Sequence, residues 1–152
     1  MSQVECSPVR EDPDQKLQIV CSSQLHPLMT VYSAELIAIS EALVYANTIE
    51  NNKTLIVTDS MSTIQHLKKF PTFNIKNHLV KKIIGTLSDM QKRGKDDQFL
   101  WVKSHAGIEG NGRVDDLAKQ ETELGLEMEV ELDTTDLKEV IRDSAMREWQ
   151  RS

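Results

Sequence analysis

A chain of 152 residues with 39% hydrophobic and 28% charged residues has the size and composition of one ordinary globular domain, which excludes disordered and collagen-like classes. No apolar run approaches the roughly 18 residues of a membrane helix, and the opening residues form no apolar signal-peptide region, so we expect no membrane partner. The net charge is −6, but residues 65–104 hold nine Lys and Arg against three acidic residues, so this basic middle is either a phosphate-contacting face or a solvated helix surface.

The chain opens on a predicted β-hairpin. Apolar and polar residues alternate over 16–25 with the period of a half-buried strand, and residues 4–10 are a weaker partner. Residues 12–15 between them (DPDQ) have the composition of a turn. A register symmetric about this turn places Cys6 opposite Cys21. A disulfide there stays open, but two buried thiols are favoured, because a chain with two cysteines suits a reducing cytoplasmic or nuclear compartment.

Apolar spacing predicts the remaining elements. In chain order, they are a helix over 33–49, a strand over 54–58, helices over 62–69 and 74–93, a strand over 98–103, and helices over 113–124 and 136–150. Gly94 is expected to end the second of the two middle helices. Strands that alternate with helices indicate an α/β fold, a sheet with helices packed on it. We expect residues 1–124 to form one domain, followed over 125–152 by an acidic linker and a C-terminal helix.

Several carboxylates stand where predicted elements begin or end. Asp59 follows an apolar strand, Glu35 lies in the first turn of a helix, and Asp115 opens a helix behind a glycine-punctuated loop that carries His105. Strand ends and helix starts converge at the ligand crevice of α/β sheets, and Mg²⁺ prefers oxygen ligands. Taken singly, each acid is as well explained by a helix cap or by a favourable helix dipole. Only their joint pattern predicts a metal site.

Three blocks of sequence carry a family resemblance. They are Ser33 to Ile39 (SAELIAI), Ile56 to Ser60 (IVTDS) and Trp101 to Ala118 (WVKSHAGIEGNGRVDDLA). In order and separation they resemble type 1 ribonuclease H, and more narrowly the domain of this type carried by non-LTR retrotransposons. The resemblance implies a mixed sheet flanked by helices, and an endonuclease that hydrolyses the RNA strand of RNA–DNA hybrids.

The resemblance also implies roles for individual residues. The family holds two Mg²⁺ or Mn²⁺ ions with four carboxylates, and Glu35, Asp59 and Asp115 match the second, third and fourth of them. His105 matches a histidine that assists proton transfer or product release. The positions expected to contact the hybrid are Ser60, Lys103 and Asn111.

The chain departs from the family at the first strand, which ends in an Asp, usually followed by Gly-Ser, and supplies the first carboxylate. Only 34 residues precede Glu35; they fit the family's second and third strands, and no Asp-Gly-Ser occurs in the sequence. We therefore expect an N-terminally truncated ribonuclease H-like fold with one metal ion or none and impaired cleavage. The alternative is a catalytically inactive, retroelement-derived domain that binds nucleic acid or a partner. An unpaired sheet edge would also allow an oligomer.

Overall fold

The computed structural model describes residues 3–6, 21–24, 28–69, 75–103, 132 and 134–151. Within them the chain is α/β, as predicted, with four helices and two two-stranded sheets. The elements are β1 (Gln3–Cys6), β2 (Cys21–Gln24), α1 (Val31–Thr48), β3 (Lys53–Thr58), α2 (Met61–Lys68), α3 (His78–Lys92), β4 (Asp96–Trp101) and α4 (Thr134–Trp149). The predicted turn at 12–15, loop at 104–112 and helix at 113–124 lie outside the described residues.

The two sheets differ in the direction of their strands. β1 and β2 pair antiparallel with Cys6 opposite Cys21, which confirms the predicted register of the hairpin. β3 and β4 pair in parallel, and the connection between them contains α2 and α3, as parallel neighbours require. In the part of the chain that the structure describes, the two sheets are not hydrogen-bonded to each other, although α1 lies against both β1 and β3.

Both ends of α1 are held by side chains. Thr30 is the N-cap, and its hydroxyl accepts a hydrogen bond from the backbone N–H of Ser33 at 3.2 Å, so the helix begins two residues earlier than predicted. At the other end the Lys95 ammonium donates to the carbonyl oxygens of Ala46 and Ile49, each at 2.7 Å. A cation at this end satisfies carbonyls that the helix leaves unpaired and is favoured by the helix dipole.

The bounds of α3 also follow from its caps. The Asn77 side chain accepts from the backbone N–H of Val80 at 3.0 Å, so the helix begins at His78 rather than near residue 74. Gly94 adopts a φ of +78°, and the backbone N–H groups of Gly94 and Lys95 donate to carbonyls in the last turn, each at 3.0 Å. This is a Schellman motif, which confirms Gly94 as the end of the helix.

The apolar core lies between α1, α3 and the inner face of the parallel sheet. Leu36 and Leu43 of α1 and Ile83 of α3 are fully buried, and Ile56 of β3 packs against them. Burial of each such side chain contributes about 1.5–3 kcal/mol. None of the helices in the described ranges has the length and apolar character needed to cross a membrane.

Candidate active site

Asp59 lies directly after β3, at the carboxyl end of the parallel sheet, and its backbone is held from two sides. The indole Nε1–H of Trp101, at the end of β4, donates to the Asp59 carbonyl oxygen at 3.0 Å. The backbone N–H of Met61 donates to the same oxygen at 3.0 Å, and the backbone N–H of Val102 donates to Thr58 at 3.0 Å. These bonds fix the end of β3, from which the Asp59 side chain projects.

Glu35 is half-buried beside Asp59 and lies in the second turn of α1, not in the first as predicted, because the helix begins at Val31. Burial, and then the negative charge of Asp59, raise the pKa of Glu35 from 4.5 to about 7. Both effects disfavour the ionised carboxyl, burial by removing water and the second acid by repulsion. The structure therefore brings together two of the three carboxylates that the sequence predicted to share a site. A carboxyl group whose pKa is raised by burial and by a neighbouring charge is typical of functional sites.

Ser60 joins Asp59 to α2 and is buried. Its hydroxyl lies 2.8 Å from the Thr63 hydroxyl and 3.3 Å from that of Ser62, and its backbone N–H donates to the Thr58 hydroxyl at 3.1 Å. These hydroxyl contacts hold the segment that follows Asp59 against the first turn of α2. The predicted contact of Ser60 with a hybrid stays a prediction.

A Tyr–His pair connects the two helices next to the carboxylates. The Tyr32 hydroxyl lies 2.7 Å from His66 Nδ1, and the ring centroids are 5.5 Å apart. Tyr32 precedes Glu35 by one helical turn, and His66 belongs to α2, which follows Asp59. The sequence analysis missed this pair. The three-residue spacing of Tyr32 and Glu35 indicates that the two side chains share a helix face, but nothing in the sequence predicts that His66 of α2 lies next to that face.

The other predicted site residues are placed only in part. Lys103 is exposed just beyond β4. His105, Asn111 and Asp115 lie outside the described residues, so their roles stay predictions. Within the described ranges, no group of three or more His, Cys, Asp or Glu residues is arranged to hold a metal ion.

Glu35 and Asp59 nevertheless suit a divalent cation. Both supply hard oxygen donors, and a bound cation would offset the burial and the repulsion from Asp59 that raise the pKa of Glu35. The donor set thus fits a Mg²⁺ or Mn²⁺ ion, to which the predicted Asp115 would add a third carboxylate.

The basic residues in the middle of the chain include one that caps a helix, others in exposed ion pairs, and several exposed lysines. Lys95 caps α1, Lys82 lies 3.7 Å from Glu41, and Lys92 lies 3.2 Å from Asp89. The exposed basic residues at the ends of α2 and β4 and on or before α3 are Lys68, Lys69, Lys76, Lys81 and Lys103. Lys95 therefore has a structural role at the end of α1, whereas the exposed lysines are accessible to a nucleic acid.

Comparison with known proteins adds one finding. A family model described as RNase H matches residues 13–123, well over half of the chain. The matched range contains Glu35, Asp59 and Asp115 and ends before α4. No curated protein matches the chain.

Proposed function

The chain belongs to the ribonuclease H family, and from this premise we propose that its site hydrolyses the RNA strand of RNA–DNA hybrids. The family binds such hybrids and generally uses divalent metals. The observation that carries the proposal is the half-buried Glu35 beside Asp59, at the end of the parallel sheet where α/β proteins hold their ligands. In this proposal Asp115 completes the carboxylates, and His105 assists proton transfer.

The described residues have distinct tasks in this reaction. Glu35 and Asp59 supply carboxylate oxygens for a divalent cation, and a bound cation would favour the ionised form of Glu35 that burial and the Asp59 charge disfavour. The Trp101 indole and the start of α2 hold the Asp59 backbone, so that the carboxylate is oriented before the substrate arrives. The chemistry that divalent cations supply when held by these carboxylates is activation of water and stabilisation of the leaving oxygen.

Binding of the hybrid is proposed to depend on exposed lysines on the elements next to Asp59. Lys68 is the last residue of α2, the helix that follows Asp59, and Lys103 lies two residues after β4, whose Trp101 contacts the Asp59 backbone. Lysine side chains contact phosphates without reading sequence, and a hybrid is recognised by its shape and its 2′-hydroxyl groups. Ser60 and Asn111 are the further proposed contact positions.

We also propose that these 152 residues cleave weakly. The family's first carboxylate has no counterpart in the sequence, which contains no Asp-Gly-Ser, and within the described ranges the two sheets are not joined. A single preorganised electrostatic group is commonly worth about 10²–10³ in rate, and the first carboxylate of the family organises both of its metal ions.

The three motif blocks support an origin in a non-LTR retrotransposon, which the reading frame upstream of the chain would test.

The test compares the chain with a form extended upstream by a strand ending in Asp-Gly-Ser, both assayed on an RNA–DNA hybrid with Mg²⁺. Asp59→Asn should abolish cleavage in each background. Asp89→Asn removes an exposed carboxylate on α3 and should leave the rate unchanged. We expect the extended form to cleave at least about 10²-fold faster than the chain as given.

Two results would change these conclusions. If the chain as given cleaves as fast as the extended form, and Asp59→Asn abolishes that activity, catalysis is not impaired and another group supplies the missing carboxylate. If neither form cleaves, while both bind hybrids with an affinity that falls as salt rises, the alternative of an inactive nucleic-acid-binding domain is correct.

A further inference from the structure

A buried carboxylate joins the C-terminal helix α4 to the start of α1. Asp136, in the first turn of α4, is 1% exposed, and its Oδ1 accepts hydrogen bonds from the backbone N–H of Thr30 at 2.9 Å and from the Thr30 hydroxyl at 2.7 Å. The two residues are 106 positions apart in the sequence. The other α4 side chains that the structure describes are exposed or half-buried. Since acidic side chains are almost never fully buried unless they are paired, this contact is a specific attachment point.

Asp136 orients the hydroxyl that caps α1. The Thr30 hydroxyl has one proton, and its shortest contact is with the Asp136 carboxylate, which is the stronger acceptor. The oxygen lone pairs are then directed to the backbone N–H of Ser33, 3.2 Å away. The carboxylate therefore holds Thr30 by its backbone and by its side chain, in the orientation that the N-cap requires.

Glu35 directly follows the turn that is capped in this way, at the start of the second turn of α1. Glu35 is five positions after Thr30, which is about 7.5 Å along the helix axis. Helix ends fray, and repulsion from Asp59 pushes the Glu35 carboxyl away from its position. A rigid cap on the first turn opposes both effects.

We propose that Asp136 is a positioning residue of the site: by holding Thr30 it fixes the first turn of α1, and with it the direction of the Glu35 carboxyl. The inference rests on the proposed hybrid-cleaving function. It makes α4, which lies beyond the matched residues 13–123, a functional part of the site. Displacement of a reacting group by about 1 Å can cost about 10²-fold in rate, so a loosened first turn should affect catalysis strongly.

The experiment uses the full chain with Asp136→Ala, Asp136→Asn and Thr30→Val, and with Asp143→Asn as the control. Asp143 is an exposed carboxylate on the same helix. Three quantities are measured: kcat and KM for a hybrid, Mn²⁺ affinity of the free protein by calorimetry, and hydrogen exchange of the Ser33 and Glu35 amides. Thermal melting identifies variants that do not fold.

We expect Asp136→Ala and Thr30→Val each to lower kcat and Mn²⁺ affinity by about tenfold, to speed amide exchange in the first turn, and to leave KM within about twofold. The effects of the two changes should be less than additive in the double variant, because both remove the bond between the Thr30 hydroxyl and Asp136. Asp136→Asn keeps an oxygen acceptor for Thr30 and should retain most of the activity. Asp143→Asn should match the wild type.

Two outcomes count against the inference, and they are distinguishable. If the wild type cleaves hybrids and binds Mn²⁺, and folded Asp136→Ala matches Asp143→Asn in both, the positioning role is overturned while the proposed function stands. If the wild type neither cleaves nor binds Mn²⁺, the proposed function fails, and the positioning role falls with it. Should Asp136→Ala not fold, Thr30→Val compared with Thr30→Ser decides the question, since only serine keeps the capping hydroxyl.

Discussion

The charge on Glu35 should destabilise the folded chain at neutral pH, and Glu35→Gln should reverse this. Folding raises the pKa of this carboxyl from 4.5 to about 7, so the folded state favours the protonated form. Below pH 4.5 the group is protonated in both states and costs nothing. As the pH rises from 4.5 to about 7, the unfolded chain loses this proton more readily, and folding stability falls; above about pH 7 the loss is complete.

The loss of folding stability can be estimated from the same change in the pKa of Glu35. Moving a carboxyl from 4.5 to about 7 corresponds to about 3 kcal/mol if no solvent screens it. Glu35 is only half-buried, so water reduces this to about 1.5 kcal/mol. In a chain of this length, that free energy raises Tm by about 3–6 °C. Glutamine has the shape of the protonated acid, so Glu35→Gln should gain this increase at pH 8 and none at pH 4.

Thermal melts at several pH values test the argument, with Glu50→Gln as the control because Glu50 is exposed just beyond α1. Glu35→Gln in an Asp59→Asn background separates the two causes of the raised pKa, burial and the charge of Asp59. Since burial is the larger one, Glu35→Gln should still provide more than half of its stabilisation there. A variant that is less stable than the wild type at pH 8, or equally stabilised at pH 4 and pH 8, would refute the reasoning.

Further predictions concern the contacts around this pair. Trp101→Phe removes the indole bond to the Asp59 carbonyl and should lower the free energy of unfolding in urea by about 1 kcal/mol. Lys95→Met removes the two bonds that cap α1 and should cost about 1–3 kcal/mol, whereas Lys92→Met breaks only an exposed ion pair and should cost less than about 0.5 kcal/mol. Millimolar Mg²⁺ at pH 8 should raise Tm more in the wild type than in Glu35→Gln, and equal gains would contradict a cation held by Glu35. Hybrid affinity should fall by about tenfold or more between about 50 and 200 mM salt, and a constant affinity would exclude binding through phosphates.

The positions of the four described helices could be predicted from apolar spacing, but most of their ends could not. The spacing that predicts α3 fits a start at Asn74 as well as one at Asn77, because both residues can cap a helix. Only the bond from the Val80 backbone to Asn77 decides between them. Gly94 was predictable as a helix end because its conformation is strained for other residues. The sequence therefore predicts the end of a helix where the backbone conformation favours glycine, and it leaves the end open where several side chains can act as caps.

Strand bounds and long-range contacts depend on the partner that a segment meets. β4 was expected over 98–103 but runs from Asp96 to Trp101, because Asp96 and Asp97 pair with β3 although aspartate is uncommon in strands. The proximity of Glu35 and Asp59 was predictable, because strand ends and helix starts meet at one edge of a sheet. The bond between Thr30 and Asp136 was not, since no local pattern relates residues 106 positions apart.

The two acids are held together by contacts that also stabilise the core. Lys95 lies in the turn between α3 and β4, and its ammonium binds carbonyl oxygens at the end of α1. It therefore connects α1, which carries Glu35, to β4, the strand that pairs with β3. β4 in turn places Trp101 on the Asp59 backbone. The cost of about 1.5 kcal/mol for an ionised Glu35 is offset by a single buried leucine, such as Leu43, which contributes about 1.5–3 kcal/mol. Because α1 is fixed at both ends and packs against the core between them, the helix keeps Glu35 next to Asp59, and the repulsion between the two acids is reduced by a proton or by a bound cation.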